Sequence, residues 1–258
     1  MAQPKHNARV LVERTAEQAT ATAADLFKTI VCEAVGRRNA AHVALAGGTT
    51  PHSLYQKLAA DAVSGQMPWR DVEIFFGDER DVPQDHVESN YRMVQRALLD
   101  HVPIDPARVH PMPADAEDIQ AAADQYEQAI RRTVPADGGQ IPRFDLILLG
   151  MGGDGHTASL FPNTEALGEH RRLVYAGFVP VLGRNRMTFT YPLINAARNV
   201  MFLVTGSDKA EAVLGVLGDS EDIRRQLPAA AIQPTDGCLI IVLDAAAARL
   251  TGIAPAGS

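Results

Sequence analysis

Cysteine is nearly absent from this 258-residue chain, with only Cys32 and Cys238 present. Neither stands at a metal-ligand spacing and each has apolar neighbours, so the expectation is two buried thiols in a reducing, cytoplasmic setting. Aromatic residues make up 5% of the chain, and the core is therefore expected to consist of Ala, Val and Leu layers rather than large rings. No run approaches the roughly 18 apolar residues of a membrane span, and the N-terminal stretch has no apolar signal core, which disfavours both insertion and export. Positive charge is scarce: 24 Lys and Arg against 31 Asp and Glu leave a net charge of −7. That balance excludes a general attraction to nucleic acid or an anionic membrane, so an anionic small molecule would need a local cluster of cations. Also missing are internal repeats, a His-Glu-x-x-His or paired-His zinc spacing, the Gly-Lys-Ser/Thr ending of a nucleotide P-loop, and the Gly-x-Ser-x-Gly elbow of serine hydrolases.

What is present is an alternation of short apolar runs with helical patterns. Strands are expected near residues 10–12, 42–46, 72–76, 144–149, 186–191, 200–205 and 239–243. Helices are expected near residues 17–35, 52–60, 89–99, 209–217 and 244–250. The run Phe144-Asp-Leu-Ile-Leu-Leu149 is almost wholly apolar, as strands buried on both faces of a parallel sheet tend to be. The pattern predicts an α/β fold, a doubly wound, Rossmann-like and mostly parallel sheet with helices on both faces. One domain is expected over residues 1–258, with loose tails at about 1–7 and 252–258 and a loop at 135–142. In such a sheet ligands bind beyond the carboxyl ends of the strands, and the polar glycine motifs all fall there.

Gly47-Gly48-Thr49-Thr50-Pro51 has the parts of a phosphate cradle: glycines for close backbone approach, then hydroxyls and free amides at a helix start. Taken alone it reads equally as a threonine-capped turn. Gly77-Asp78-Glu79-Arg80 sets two carboxylates and a guanidinium just past a strand, where a solvated turn would look similar. The segment Gly150-Met-Gly-Gly-Asp-Gly-His-Thr-Ala-Ser-Leu-Phe-Pro162 matches Gly-x-Gly-x-x-Gly. It is rejected as a dinucleotide site because Asp154 would place a carboxylate where pyrophosphate should sit and Pro162 limits the following helix to under two turns. The same segment offers Asp154-Gly155-His156, an imidazole one glycine away from a carboxylate that can orient it for taking a proton near neutral pH. Read by spacing alone, a lone loop histidine such as His156 is more often a surface residue than a base. Ser159, at an expected helix start, lacks the strained turn of a nucleophile, so water is the better attacking group. Arg186 and Lys209 are either solvated charges or, at strand and helix ends, ligands for a phosphate.

Taken in order, Leu45-Ala-Gly-Gly-Thr-Thr-Pro51, Phe76-Gly-Asp-Glu-Arg80, Ser89-Asn-Tyr91, Leu149 to Pro162, Arg186-Met-Thr and Gly206-Ser-Asp-Lys209 resemble the 6-phosphogluconolactonase family. That family lies within a wider group of sugar-phosphate deaminases and isomerases. The resemblance implies hydrolysis of 6-phospho-D-glucono-1,5-lactone, the second step of the oxidative pentose phosphate pathway, with no cofactor and no metal. It implies His156 as the base that activates water and Asp154 as its orienting partner. It further implies phosphate binding by Arg186, Lys209 and the loop of Gly47, Gly48, Thr49 and Thr50, with Arg80, Asn90, Asp78 and Gly155 about the substrate. Which of Asp154 and Asp78 is the closer partner of His156 stays open. A glucosamine-6-phosphate deaminase-like isomerase is the rival reading. Arg80 stands where the deaminase pattern has Tyr, and residues 157–162 lack its acidic residue. A non-catalytic sugar-phosphate sensor is a third.

Overall fold

Apolar runs of four to seven residues that carry no polar alternation can be satisfied only by burial on both faces, and five of them form the middle of one sheet. The computed structural model describes residues 8–62, 65 and 67–255. Its strands are β1 (Ala8–Glu13), β2 (Ala41–Leu45), β3 (Val72–Phe76), β4 (Asp78–Arg80), β5 (Val109–His110), β6 (Leu146–Leu149), β7 (Val174–Val179), β8 (Arg184–Phe189), β9 (Asn199–Val204) and β10 (Cys238–Asp244). The helices are α1 (Ala16–Arg38), α2 (Thr49–Ala62), α3 (Asn90–Ala97), α4 (Ile119–Thr133), α5 (Tyr191–Asn195), α6 (Ala210–Leu217), α7 (Glu221–Arg224) and α8 (Ala245–Ala248). Seven strands form a sheet in the order β1-β10-β9-β6-β2-β3-β5, with every pairing parallel. The chain builds outward from β2 through β3 to β5, then returns to the other side of β2 and builds outward through β6, β9 and β10. The strand order therefore reverses between β2 and β6, and a crevice opens at their carboxyl ends.

Helix α1 shows how the layers lock. Thr15 caps it by accepting the Gln18 N–H at 3.2 Å, and Asn39 ends it in the left-handed conformation with φ 59°. Ala19, Ala23, Phe27, Val31 and Ala34 form its buried stripe, and small residues let the helix lie close to the sheet. Asp25, Thr29, Cys32 and Glu33 share the exposed side. Cys32 is thus exposed, not buried as expected: its apolar neighbours in sequence lie about 100° around the helix from it. Cys238, the first residue of β10, is half-buried, so the expectation of two buried thiols fails at both positions.

Two further expectations change. The strand near residues 186–191 does not join the parallel sheet; β8 lies between β4 and β7 in a separate antiparallel sheet. Gly77 joins the two sheets, donating its N–H to Leu45 O at 2.9 Å and accepting the Phe189 N–H at 2.8 Å. The helix expected to begin near Ser159 does not form. Thr157 and Leu160 instead close a tight bridge around Ala158, whose φ of 47° lies outside the right-handed helical region. The loop at 135–142 is a loop as read. Of the expected tails, residues 1–7 and 256–258 lie outside the described residues, while Ile253 packs against the core.

Candidate active site

The crevice at the strand ends is a cleft of about 220 Å³. One wall comes from the turn after β2. Tyr55, fully buried on α2, donates its hydroxyl proton to Ala46 O at 2.7 Å and accepts the Ala46 N–H at 3.0 Å, which fixes where the turn leaves the sheet. Gly47, Gly48, Thr49 and Thr50 then line the cleft, with the first turn of α2 and its unpaired amides opening there. Gly47 cannot be larger, because a Cβ there would lie 1.8 Å from Asn90 Oδ1.

The turn after β3 and the start of α3 form a second wall, built around two buried carboxylates. Glu79 accepts from the backbone N–H groups of Arg80, Asn90 and Tyr91, each at 2.8 Å, and from Ser89 Oγ at 3.0 Å. Burial nevertheless outweighs these bonds and holds its pKa above the ordinary glutamate value. Asp78 accepts from Ser159 Oγ at 2.6 Å and from Asn90 Nδ2 at 3.3 Å, while the same amide also donates to Asp78 O at 2.9 Å. Arg80 lines the cleft and donates one guanidinium N–H to Glu88 O.

The third wall is the loop after β6, with Gly150, Met151, Gly152 and His156. Asp154 Oδ1 lies 2.6 Å from His156 Nδ1 and also accepts the His156 backbone N–H at 3.1 Å. The pair is therefore His156 with Asp154, while Asp78 is committed to Ser159 and Asn90. Burial works against the Asp154 carboxylate, but the His156 N–H and the imidazole override it and keep its pKa below the ordinary aspartate value. The imidazole stacks on Phe161 with ring centroids 4.2 Å apart. Gly152 leaves the space the pair occupies: a Cβ there would lie 2.1 Å from His156 Nδ1 and 2.5 Å from Asp154 Oδ1. Gly155 sits behind the loop, its carbonyl accepting the Ala229 N–H at 2.9 Å.

The fourth wall follows β9. Thr205 and Lys209 line the cleft there, and the Thr205 hydroxyl lies 3.0 Å from that of Thr50. Lys209 Nζ is 2.9 Å from Asp208 Oδ2 and remains partly exposed. The cleft thus sets an imidazole with one uncommitted nitrogen near a lysine, an arginine and a helix N-terminus, a combination that can take a proton from water beside a bound anion.

The fold brings nearly all the expected site residues together, with three set back. Asp154 and Gly155 stand behind His156. Arg186 lies opposite Arg80 in the small sheet, donates to Asn185 O at 2.8 Å, and lines a smaller recess with Ser159 and Thr188 rather than the cleft. Burial and the Arg80 charge push the pKa of Arg186 down. Sequence reading missed Thr205, Met151 and Ala158 on the cleft, and Phe161 against the imidazole. Only Thr205 carried a signal, as a hydroxyl at the carboxyl end of a strand. Among the described residues no group of three or more His, Cys, Asp or Glu side chains is placed to hold a metal ion, and no helix is long and apolar enough to cross a membrane.

Known proteins are similar to this chain over almost its whole length. A 6-phosphogluconolactonase of Synechocystis is 44% identical over 238 residues, which are 92% of each chain. One from Nostoc is 40% identical over 94% of this chain and 97% of its own. The solved structure of 6-phosphogluconolactonase from Trypanosoma cruzi superposes with a TM-score of 0.82 at 30% identity, covering 98% of both chains. Residues 14–241 match the family described as glucosamine-6-phosphate isomerases/6-phosphogluconolactonase, and the chain belongs to that family.

Proposed function

We propose that this chain hydrolyses 6-phospho-D-glucono-1,5-lactone to 6-phosphogluconate, as its relatives' names and the cleft together suggest. The observation that carries the mechanism is the 2.6 Å contact between Asp154 Oδ1 and His156 Nδ1. The carboxylate favours the tautomer with the proton on Nδ1, which leaves the Nε2 lone pair to take a proton from water. That water attacks the lactone carbonyl, and the ring C–O bond breaks as the imidazolium returns the proton to the departing ring oxygen. Charge develops on the carbonyl oxygen in between. Arg80, with guanidinium N–H groups beyond the one given to Glu88, is a donor available for it, and one such donor is typically worth about 3 kcal/mol.

The phosphate is assigned to the other side of the cleft. Lys209 supplies the charge, Thr50 and Thr205 supply hydroxyls, and the amides opening α2 supply dipoles. Asn90, held by Asp78, faces the sugar beside Arg80. Arg186 stands behind Arg80 and adds positive charge to that wall.

The test measures acid released from the phosphorylated lactone, and separately ammonia released from an amino sugar phosphate, by the wild type and by His156→Ala. Acid from the first substrate well above the spontaneous rate, lost in the variant, is the expected result. Full activity in His156→Ala would sink the mechanism. Ammonia from the second substrate, without acid from the first, would favour a deaminase.

A further inference from the structure

The loop that carries Thr205 and Lys209 is tied down from outside the cleft by a carboxylate that does not line it. Asp244 ends β10 and is 6% exposed. Both its oxygens lie 3.1 Å from the Gly206 N, and Oδ1 also accepts the Ala247 N–H at 2.7 Å to cap α8. In the β10–β9 register Leu243 faces Val204, so Asp244 lies level with Thr205, the first cleft residue beyond β9. Gly206 in turn accepts the Lys209 N–H at 3.2 Å. One buried carboxylate, two hydrogen bonds from the Lys209 backbone, thus sets the loop on which both phosphate-side groups sit. A carboxylate this buried needs such partners, so the clamp holds its geometry. Capping a helix as short as α8 does not require the second oxygen, which is aimed at Gly206.

We propose that Asp244 is a positioning residue for the phosphate end of the substrate, acting through Gly206 on Thr205 and Lys209. The inference rests on the reading that these two residues hold the phosphate.

Steady-state kinetics on two substrates test it, the phosphorylated lactone and unphosphorylated glucono-1,5-lactone. Asp244→Ala should raise KM for the phosphorylated lactone about tenfold, the loss of one charge-assisted contact, with kcat little changed. Turnover of the unphosphorylated lactone should be unaffected. Asp244→Asn keeps an acceptor oxygen and should recover most of the loss. Asp244→Ser keeps a capping hydroxyl for α8 but falls short of Gly206; it should behave like Asp244→Ala and serves if that variant folds poorly. A drop in kcat, or equal losses on both substrates, would mean a general structural role and would overturn the proposal. Lys209→Ala separates the two readings. If it raises KM while Asp244→Ala and Asp244→Ser do not, the positioning role is wrong and the phosphate site stands. If Lys209→Ala leaves KM unchanged, the phosphate assignment fails and the proposal falls with it.

Discussion

A histidine whose Nδ1 faces a carboxylate has one nitrogen left for chemistry, and three neighbours of His156 set where its ring lies. Asp154 fixes the tautomer, Phe161 fixes the ring plane, and Gly152 leaves room for both. His156→Ala should lower the catalysed rate by about 10²–10⁴-fold, the usual contribution of a positioned general base, as read by titrating the acid released. Asp154→Asn keeps the shape but removes the charge that steadies the imidazolium, and a smaller loss than for His156→Ala is expected in the same assay. Gly152→Ala is the sharpest of the three. The added methyl would lie 2.1 Å from Nδ1, so the pair must move while the loop's backbone is left to fold. Activity should fall as far as in His156→Ala with an unchanged far-ultraviolet circular dichroism spectrum. A Gly152→Ala enzyme with wild-type turnover would show that the pair tolerates displacement.

At the scale of elements, Glu79 ties β4 to α3 alongside the Asp78–Asn90 bonds, its two oxygens collecting four donors. Glu79→Gln would turn an amide N–H₂ toward the Tyr91 N–H or the Asn90 N–H, leaving a buried donor unpaired. A loss of roughly 1–3 kcal/mol is expected in urea unfolding, even though a buried charge has been removed. If the variant is as stable as wild type, burial of the charge costs as much as its bonds return. The Glu79 clamp was not legible in sequence, because Asp78-Glu79-Arg80 reads as a solvated turn or as a site cluster beyond a strand, and a three-residue strand carries no periodic signal. β7, by contrast, alternates burial over Val174, Tyr175, Ala176 and Gly177 but loses the alternation at exposed Phe178 and buried Val179, which obscures it. The central parallel strands were legible because burial on both faces leaves no polar position to misread, as in Leu146–Leu149, whereas the two-residue edge strand β5 was not. Helix α4 had readable signals that the reading passed over, an Asp118 cap and a stripe of Ala122, Ala123, Tyr126 and Ile130. The helix expected after His156 gives way to contacts from elsewhere in the fold. Thr157 Oγ1 bonds Gly150 O and the Ser159 N–H bonds Thr188 Oγ1, so contacts distant in sequence override the propensity of the segment.

For the molecule as a whole, the cleft exists because β2 and β6 are neighbours, and the opposite end of that pair is locked by another buried carboxylate. Asp145, just before β6, accepts the His42 N–H at 2.8 Å and Arg38 Nη2 at 2.5 Å, with Arg198 Nε at 3.4 Å. These partners come from β2, the end of α1 and the approach to β9, so one side chain ties together the elements that meet at the switch in strand order. Burial alone would raise the Asp145 pKa, but the bonds from His42 and the Arg38 charge hold it below the ordinary aspartate value of 3.8. Its stabilising effect is therefore fully present above that value and is lost as pH falls through the lower folded-state value. Glu79 has the opposite sign, since its raised pKa makes ionisation work against the fold as pH rises through the carboxylate range. Asp145→Asn should be less stable than wild type near neutral pH by about 3 kcal/mol, because Arg38 and Arg198 lose their shared anion. Urea unfolding followed downward from pH 7 should show that gap closing as the wild-type carboxylate takes up its proton. A gap that stays constant to pH 3 would mean that Asp145 acts by shape and hydrogen bonding alone, with its charge contributing nothing to the join between the two halves of the sheet.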